Sequence, residues 1–82
     1  MESVYLSVIE FVPDPEDVFH TTGYLNHFTP GGLPAIDKDI RCALTFEDIE
    51  ECVLLVAYFN RIGWLCHLRR VRLSKRGMEV LK

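Results

Sequence analysis

The residues with the greatest chemical potential in this sequence are its three cysteines and three histidines. A structural zinc site usually brings ligands from pairs with about two to five intervening residues, as in C-x₂₋₄-C or H-x₃₋₅-H. No neighbouring pair here has such a spacing, so we predict no metal site and no cofactor. The six residues are His20, His27, Cys42, Cys52, Cys66 and His67.

Nucleophilic catalysis needs a thiol or hydroxyl beside a general base. Cys66 and His67 are adjacent, but successive side chains of a strand point to opposite faces of the sheet. Cys42 could meet His20 or His27 only across strands, and nothing in the pattern favours that over ordinary packing. The glycine pair lacks a phosphate-binding motif, and the acidic pairs lie in segments typical of solvated loops and helix starts. We therefore predict a protein that is not an enzyme.

Length and composition indicate one small folded unit, residues 1–82, with 49% hydrophobic residues. A chain of this length buries only about 60% of its unfolded surface, which leaves little room for an elaborate cleft. No apolar run approaches the roughly 18–20 residues that span a bilayer, and the N-terminus lacks the pattern of a signal peptide. An odd number of cysteines fits poorly with a disulfide framework. We expect reduced thiols, a cytoplasmic location and no membrane partner.

Charge is divided unevenly along the chain. The net charge is −3, but residues 1–60 hold eleven of the twelve acids and only two of the nine bases. An acidic face would repel nucleic acid and attract a protein with a basic surface, whereas a solvated acidic surface would only aid solubility. We predict that the acids contact such a partner. The predicted contact residues are Glu10, Asp14, Glu16, Asp17, Asp37 and Asp39.

The last 22 residues carry seven bases, with an aromatic residue among them. Such a pattern is found in proteins that bind a phosphate backbone. However, the chain as a whole is acidic, and the same bases could pair with its acids or contact an acidic protein. A nucleic-acid-binding regulator is therefore the alternative function. Its patch would consist of Arg69, Arg70, Arg72, Lys75 and Arg76.

A helix is predicted over residues 46–61. Thr45 and Asp48 have the spacing of a capping box, acids fill the first turn, and Gly63 suits a left-handed stop. The apolar residues Ile49, Val53, Val56 and Phe59 recur at helical spacing and are expected to form its buried face. Three further apolar residues lie off this stripe, and either the loop 29–39 covers them or they form a surface for self-association or for a partner. These three are Leu54, Leu55 and Tyr58.

Strands are predicted at residues 3–12, 20–28, 40–45 and 64–73, with Gly23 as a candidate bulge. The first has apolar residues at both parities and should be covered on both faces. In the last strand the apolar parity changes after Arg69–Arg70, which predicts a bulge or a strand end there. Residues 74–82 form either a short helix or a loose tail. The expected fold is α+β: a small antiparallel sheet of three to four strands with one main helix on one face, in the order β-β-β-α-β. The core should join the helix to Leu6, Val8, Trp64 or Leu65, and Leu68.

Residues 40–73 read as strand, acidic helix, glycine and strand, with Ala43-Leu44-Thr45-Phe46-Glu47-Asp48-Ile49-Glu50-Glu51 followed by Gly63-Trp64. This arrangement resembles small α+β accessory proteins of phages and other mobile elements, among them anti-CRISPR proteins. The resemblance implies a compact acidic inhibitor that occupies a basic surface of a host defence complex, such as a nucleoprotein complex, in the host cytoplasm. It carries over no individual functional residue.

Overall fold

The computed structural model describes residues 4–12 and 22–81. The predicted contact residues Asp14, Glu16 and Asp17, together with His20, lie outside these ranges. In chain order the elements are β1 (Val4–Phe11), β2 (Gly23–Phe28), β3 (Pro34–Asp37), a 3₁₀ turn (Ile40–Cys42), α1 (Ile49–Arg61), β4 (Cys66–Ser74) and β5 (Gly77–Val80).

The strands form one antiparallel sheet in the order β3-β2-β1-β4-β5. A mixed α+β fold with one α-helix is therefore confirmed within the described residues, but the sheet has five strands rather than three to four. The two additional strands come from segments that were predicted differently. Residues 34–37 lie in the predicted loop, and residues 77–80 lie in the predicted helix or tail.

β1 is the central strand, and the prediction that both its faces are covered is confirmed. Ile9 and Phe11 belong to the core cluster shared with α1, whereas Leu6 and Val8 pack with Val71 in a second cluster on the opposite face. The helix thus packs on the β1 face of Ile9 and Phe11, whereas the face of Leu6 and Val8 was predicted. The prediction for Leu68 and Trp64 was correct, since both pack against the α1 cluster.

α1 begins three residues later than predicted. Asp48 is its N-cap, with the side chain accepting a hydrogen bond from the Glu50 N–H at 2.9 Å. Phe46 cannot be helical, because its backbone N–H and C=O both bond to Ser7 of β1, at 2.8 and 2.9 Å. The helix ends at Arg61 as predicted, and Gly63 has a φ of +101°, a conformation in which a glycine is favoured.

The buried face of α1 also differs from the prediction. Cys52 and Phe59 are fully buried, and Leu55 and Val56 are partly buried against the same cluster. Ile49 and Val53, by contrast, are 46% and 52% exposed. Because apolar residues surround the middle of this helix, the periodicity alone did not distinguish the two faces. The aromatic packing decides between them: the Phe59 ring lies 5.4 Å from that of Phe11 and 5.8 Å from that of Phe28.

Residues 40–45 do not form the predicted strand. The Asp39 side chain accepts a hydrogen bond from the Arg41 N–H and caps the 3₁₀ turn that follows. Local side-chain hydrogen bonding of this kind competes with strand pairing. Only Phe46, just beyond the predicted strand, makes a bridge to β1.

The predicted bulge or strand end at Arg69–Arg70 is also wrong, because β4 continues to Ser74 and pairs with β1 without a register shift from Cys66 to Leu73. The parity change arises because β4 is covered on both faces, with Leu68 in the α1 cluster and Val71 in the opposite one. The irregularity lies instead between β2 and β3, at Leu25 and His27. Gly23 pairs regularly with Phe11.

Candidate protein-binding surfaces

Glu10 is enclosed by partners from the basic end of the chain. Its Oε1 lies 2.6 Å from His67 Nε2 and accepts a hydrogen bond from Arg69 Nε at 3.0 Å. Burial, the largest single influence, raises the pKa of this carboxyl, but hydrogen bonds and charges from Arg69 and His67 hold the pKa below its ordinary value. Burial raises the pKa of Tyr24, the β2 residue opposite Glu10, and the Glu10 carboxylate raises that pKa further. Glu10 therefore has an internal role in joining β1 to β4.

The other predicted acidic contacts within the described residues are also engaged locally. Asp37 Oδ1 accepts the Asp39 N–H at 2.8 Å. Asp39 in turn accepts the Arg41 backbone N–H at 2.9 Å and its guanidinium at 2.8 Å. Hydrogen bonds from the Arg41 side chain, and then from its backbone, lower the pKa of Asp39. These carboxylates order the turn after β3.

Strand alternation and pairing divide the predicted basic patch. Arg69 contacts Glu10, and Arg70 Nη1 donates to the buried Ser7 Oγ at 2.9 Å. Arg72 forms an ion pair with Glu79 of β5. Only two of the five residues, Lys75 and Arg76, are exposed in the turn between β4 and β5. The structure thus does not bring the five bases together on one free surface.

The largest group of exposed acids without an ion-pair partner in the described residues lies at the start of α1. Glu47, Asp48, Glu50 and Glu51 are all exposed. The helix dipole stabilises negative charge at this end, and Asp48 also caps the helix. We call these four residues the acidic edge. From the sequence these four acids could belong to a negative face, but they were not among the predicted contact residues because the helix dipole explains acids at a helix start.

The outward side of α1 is apolar next to this edge. Ile49, Glu50, Val53 and Leu54 line a shallow groove of about 320 Å³. Leu54 is 71% exposed and Tyr58 48%. The third residue predicted for self-association, Leu55, instead packs against the core. The loop 29–39, one of the two alternatives, does not cover Leu54 and Tyr58, since both remain exposed.

The thiols have separate environments. Cys52 and Cys66 are buried in the core, and desolvation raises the pKa of each to about 11. Cys42 is exposed, and His67 is directed to Glu10. Within residues 4–12 and 22–81, no group of three or more His, Cys, Asp or Glu side chains is placed to hold a metal ion.

Comparison with protein-family models, with curated proteins and with solved structures finds no match to this chain. In the part of the chain that the structure describes, no helix combines the length and hydropathy needed to cross a membrane.

Proposed function

We propose that this chain is a small non-catalytic protein-binding module that engages a basic surface of a partner protein. The observation that carries the proposal is the acidic edge: four exposed acids, free of ion pairs in the described residues, next to exposed apolar side chains. A partner with basic side chains around an apolar depression would complement both features. Charge of this kind accelerates association and disfavours partners of the same sign.

The distribution of ion pairs favours the acidic residues over the basic ones as the contact surface. Of the predicted basic patch, Arg69 and Arg72 are neutralised by Glu10 and Glu79, while the acids of the edge keep their charge exposed. The free negative charge of the described residues is thus concentrated in the acidic edge, at residues 47–51. Residues 14, 16 and 17 lie outside the described ranges and remain predicted partner contacts.

The resemblance to mobile-element inhibitors suggests the kind of partner. A basic groove that normally holds nucleic acid is a surface that clustered carboxylates can occupy in place of phosphates. On this proposal the module acts in the host cytoplasm and blocks a defence complex. It needs no cofactor, because charge and shape alone perform the inhibition.

The alternative is a nucleic-acid-binding regulator that uses the turn between β4 and β5. Lys75 and Arg76 are exposed there and have no ion-pair partner in the described residues. Two adjacent bases neutralise few phosphates, so this mode would give weak binding with a shallow dependence on salt.

Affinity capture with paired charge reversals tests the two functions. Wild-type protein, Glu47→Lys/Glu51→Lys and Lys75→Glu/Arg76→Glu are each immobilised and exposed to extract of the cells that carry the gene. Bound proteins are then quantified by mass spectrometry. We expect proteins captured by wild type to fall at least about tenfold on the acid reversal and to persist on the base reversal. Asp48 is left unchanged because it caps the helix.

Equal capture by wild type and the acid reversal would contradict the proposal. A band shift with DNA or RNA at low salt that is lost in Lys75→Glu/Arg76→Glu would establish the alternative instead. Circular dichroism of each variant confirms that the fold is retained.

A further inference from the structure

The outward side of α1 carries a seam of four exposed residues, Glu50, Leu54, Ala57 and Arg61. Their spacing of four, three and four residues keeps them in line along a helix of 3.6 residues per turn. The seam lies opposite Cys52 and Phe59, the two fully buried residues of the helix. It is therefore the part of α1 farthest from the core of its own chain.

The seam is complementary to itself. Glu50 and Arg61 are equally far from the midpoint of the seam, which lies between residues 55 and 56, and so are Leu54 and Ala57. A two-fold axis perpendicular to α1 at this midpoint would set Glu50 opposite Arg61 of a second copy, and Leu54 opposite its Ala57. Acid thus meets base at both ends, and a large apolar residue meets a small one in the middle. Neither Glu50 nor Arg61 has an ion-pair partner within the described part of its own chain.

The spacing is that of the contact positions in a coiled coil, where side chains of one helix fit between those of its neighbour. Ala57 is small enough to let the facing helix approach closely. Val53 and Tyr58 flank the seam on either side and are 52% and 48% exposed. They supply apolar surface beside the central contact.

We infer that the chain forms an antiparallel homodimer through the outward side of α1, with Glu50 of each copy paired to Arg61 of the other. A dimer with this symmetry uses the same patch on both subunits and closes on itself. Of the acidic edge, only Glu50 belongs to the seam. The dimer would therefore present the other three acids of the edge twice, once at each end of the helix pair.

The contact is expected to be reversible. One helix of 13 residues extends about 20 Å, so its seam buries less than the roughly 1,200–2,000 Å² of a standard protein interface. Dimerisation should therefore depend on concentration and weaken with added salt. It uses Glu50 and Leu54, which also belong to the proposed partner surface, but it can be measured without knowing the partner.

Sedimentation equilibrium from about 5 µM to about 1 mM tests the inference, with Glu50→Arg and Arg61→Glu as the two variants. Each variant alone places like charges opposite each other twice, so its dimerisation constant should weaken by at least about tenfold. An equimolar mixture restores opposite charges at both ends, because one chain then carries two bases and the other two acids. We expect the mixture to form a heterodimer at least as stable as the wild-type homodimer.

Glu51→Arg is the matched control, since it makes the same charge change in the same helical turn but off the seam. It should leave the dimerisation constant within about twofold of wild type. Circular dichroism of all variants monitors α1. A wild-type monomer throughout the concentration range would overturn the inference. It would also be overturned by a mixture no heavier than its components, or by Glu51→Arg weakening dimerisation as much as Glu50→Arg.

Discussion

Glu10 and His67 lie directly opposite each other on β1 and β4, and Glu10 Oε1 is 2.6 Å from His67 Nε2. The same oxygen accepts a hydrogen bond from Arg69. One acid from the negative part of the chain thus contacts an arginine and a histidine from the positive part, on the central strand pair of the sheet. The uneven charge along the sequence is in this region a means of pairing distant strands.

Replacing Glu10 with Gln should lower the free energy of unfolding by about 1 kcal/mol at neutral pH, because charge-assisted hydrogen bonds are lost. The expected loss of unfolding free energy is small because His67 and Arg69 are each about two-fifths exposed to solvent, which screens the interaction. Urea denaturation measures the change. Glu79→Gln is the control, and its exposed pair with Arg72 should contribute less than about 0.5 kcal/mol. If the two changes lower the free energy of unfolding equally, the Glu10 cluster stabilises the fold no more than an exposed ion pair does.

The same carboxylate predicts an acid-dependent loss of stability. Since the folded-state pKa of Glu10 lies below the ordinary value of 4.5, its contribution is fully present above that pH. The contribution disappears as the pH falls through the folded-state pKa. The stability difference between wild type and Glu10→Gln should therefore shrink below about pH 4.5. A difference that stays constant down to the acid transition would contradict this assignment.

Asp48→Ala should cost about 1 kcal/mol of unfolding free energy, because the backbone N–H of Glu50 loses its cap. Thr45→Ala is the control, since Thr45 precedes the bridge between Phe46 and β1 and lies outside the helix. Its effect should remain below about 0.5 kcal/mol. Thermal unfolding of both variants distinguishes this helix start from the earlier one predicted by the capping-box spacing. A larger loss for Thr45→Ala would favour the earlier start.

Gly23→Ala should be among the most damaging single-methyl additions. Gly23 has a φ of +147°, and an added Cβ would lie 2.5 Å from the backbone oxygen of Asp37. Both the strained conformation and the collision oppose the side chain, so we expect a loss of about 2–4 kcal/mol in unfolding free energy. Gly32→Ala separates the two effects, because Gly32 has a φ of +82° and open space around it. Only the conformational cost of about 1 kcal/mol applies there, and equal losses would exclude the collision with β3.

A thiol-reactive disulfide reagent at about pH 8 should modify one of the three cysteines quickly in the native protein and all three after denaturation. Cys42 is exposed, whereas burial raises the pKa of Cys52 and Cys66 to about 11, leaving roughly one molecule in a thousand as thiolate. Cys42→Ser should abolish the fast phase. Rapid reaction of two or more thiols in native protein would contradict the core placement.

The elements that were predicted well depend on local patterns. β1 has apolar residues at both parities, which indicates a strand covered on both faces, and the end of α1 follows from Arg61 and Gly63. The side of α1 that is buried could not be predicted, because apolar residues occupy every direction around its middle. Val53 and Phe59 are equally apolar in sequence, and only the rings of Phe11 and Phe28 distinguish them.

For the candidate sites too, some features follow from the sequence and others depend on the tertiary structure. The separation of acids and bases was visible in the sequence, but the partner of Glu10 lies 57 residues away and depends on strand register. For this reason Glu10 was predicted as a contact residue, although its carboxylate accepts internal hydrogen bonds. Asp37 and Asp39 were predicted likewise, although their carboxylates accept hydrogen bonds from backbone groups two residues along the chain. The acidic edge was not among the predicted contacts, because the helix dipole accounts for acids at the start of a helix.

The sequence by itself determined the mixed α+β composition, the central strand, the helix end and the uneven charge, since each depends on residues close together in the chain. Only the tertiary structure decided the fifth strand, the buried side of α1 and which charges remain exposed. Residues 77–80 become a strand because β4 offers an antiparallel edge with Leu73 opposite Met78. Pairings between distant segments depend on loop closure and shared burial, which no local pattern records.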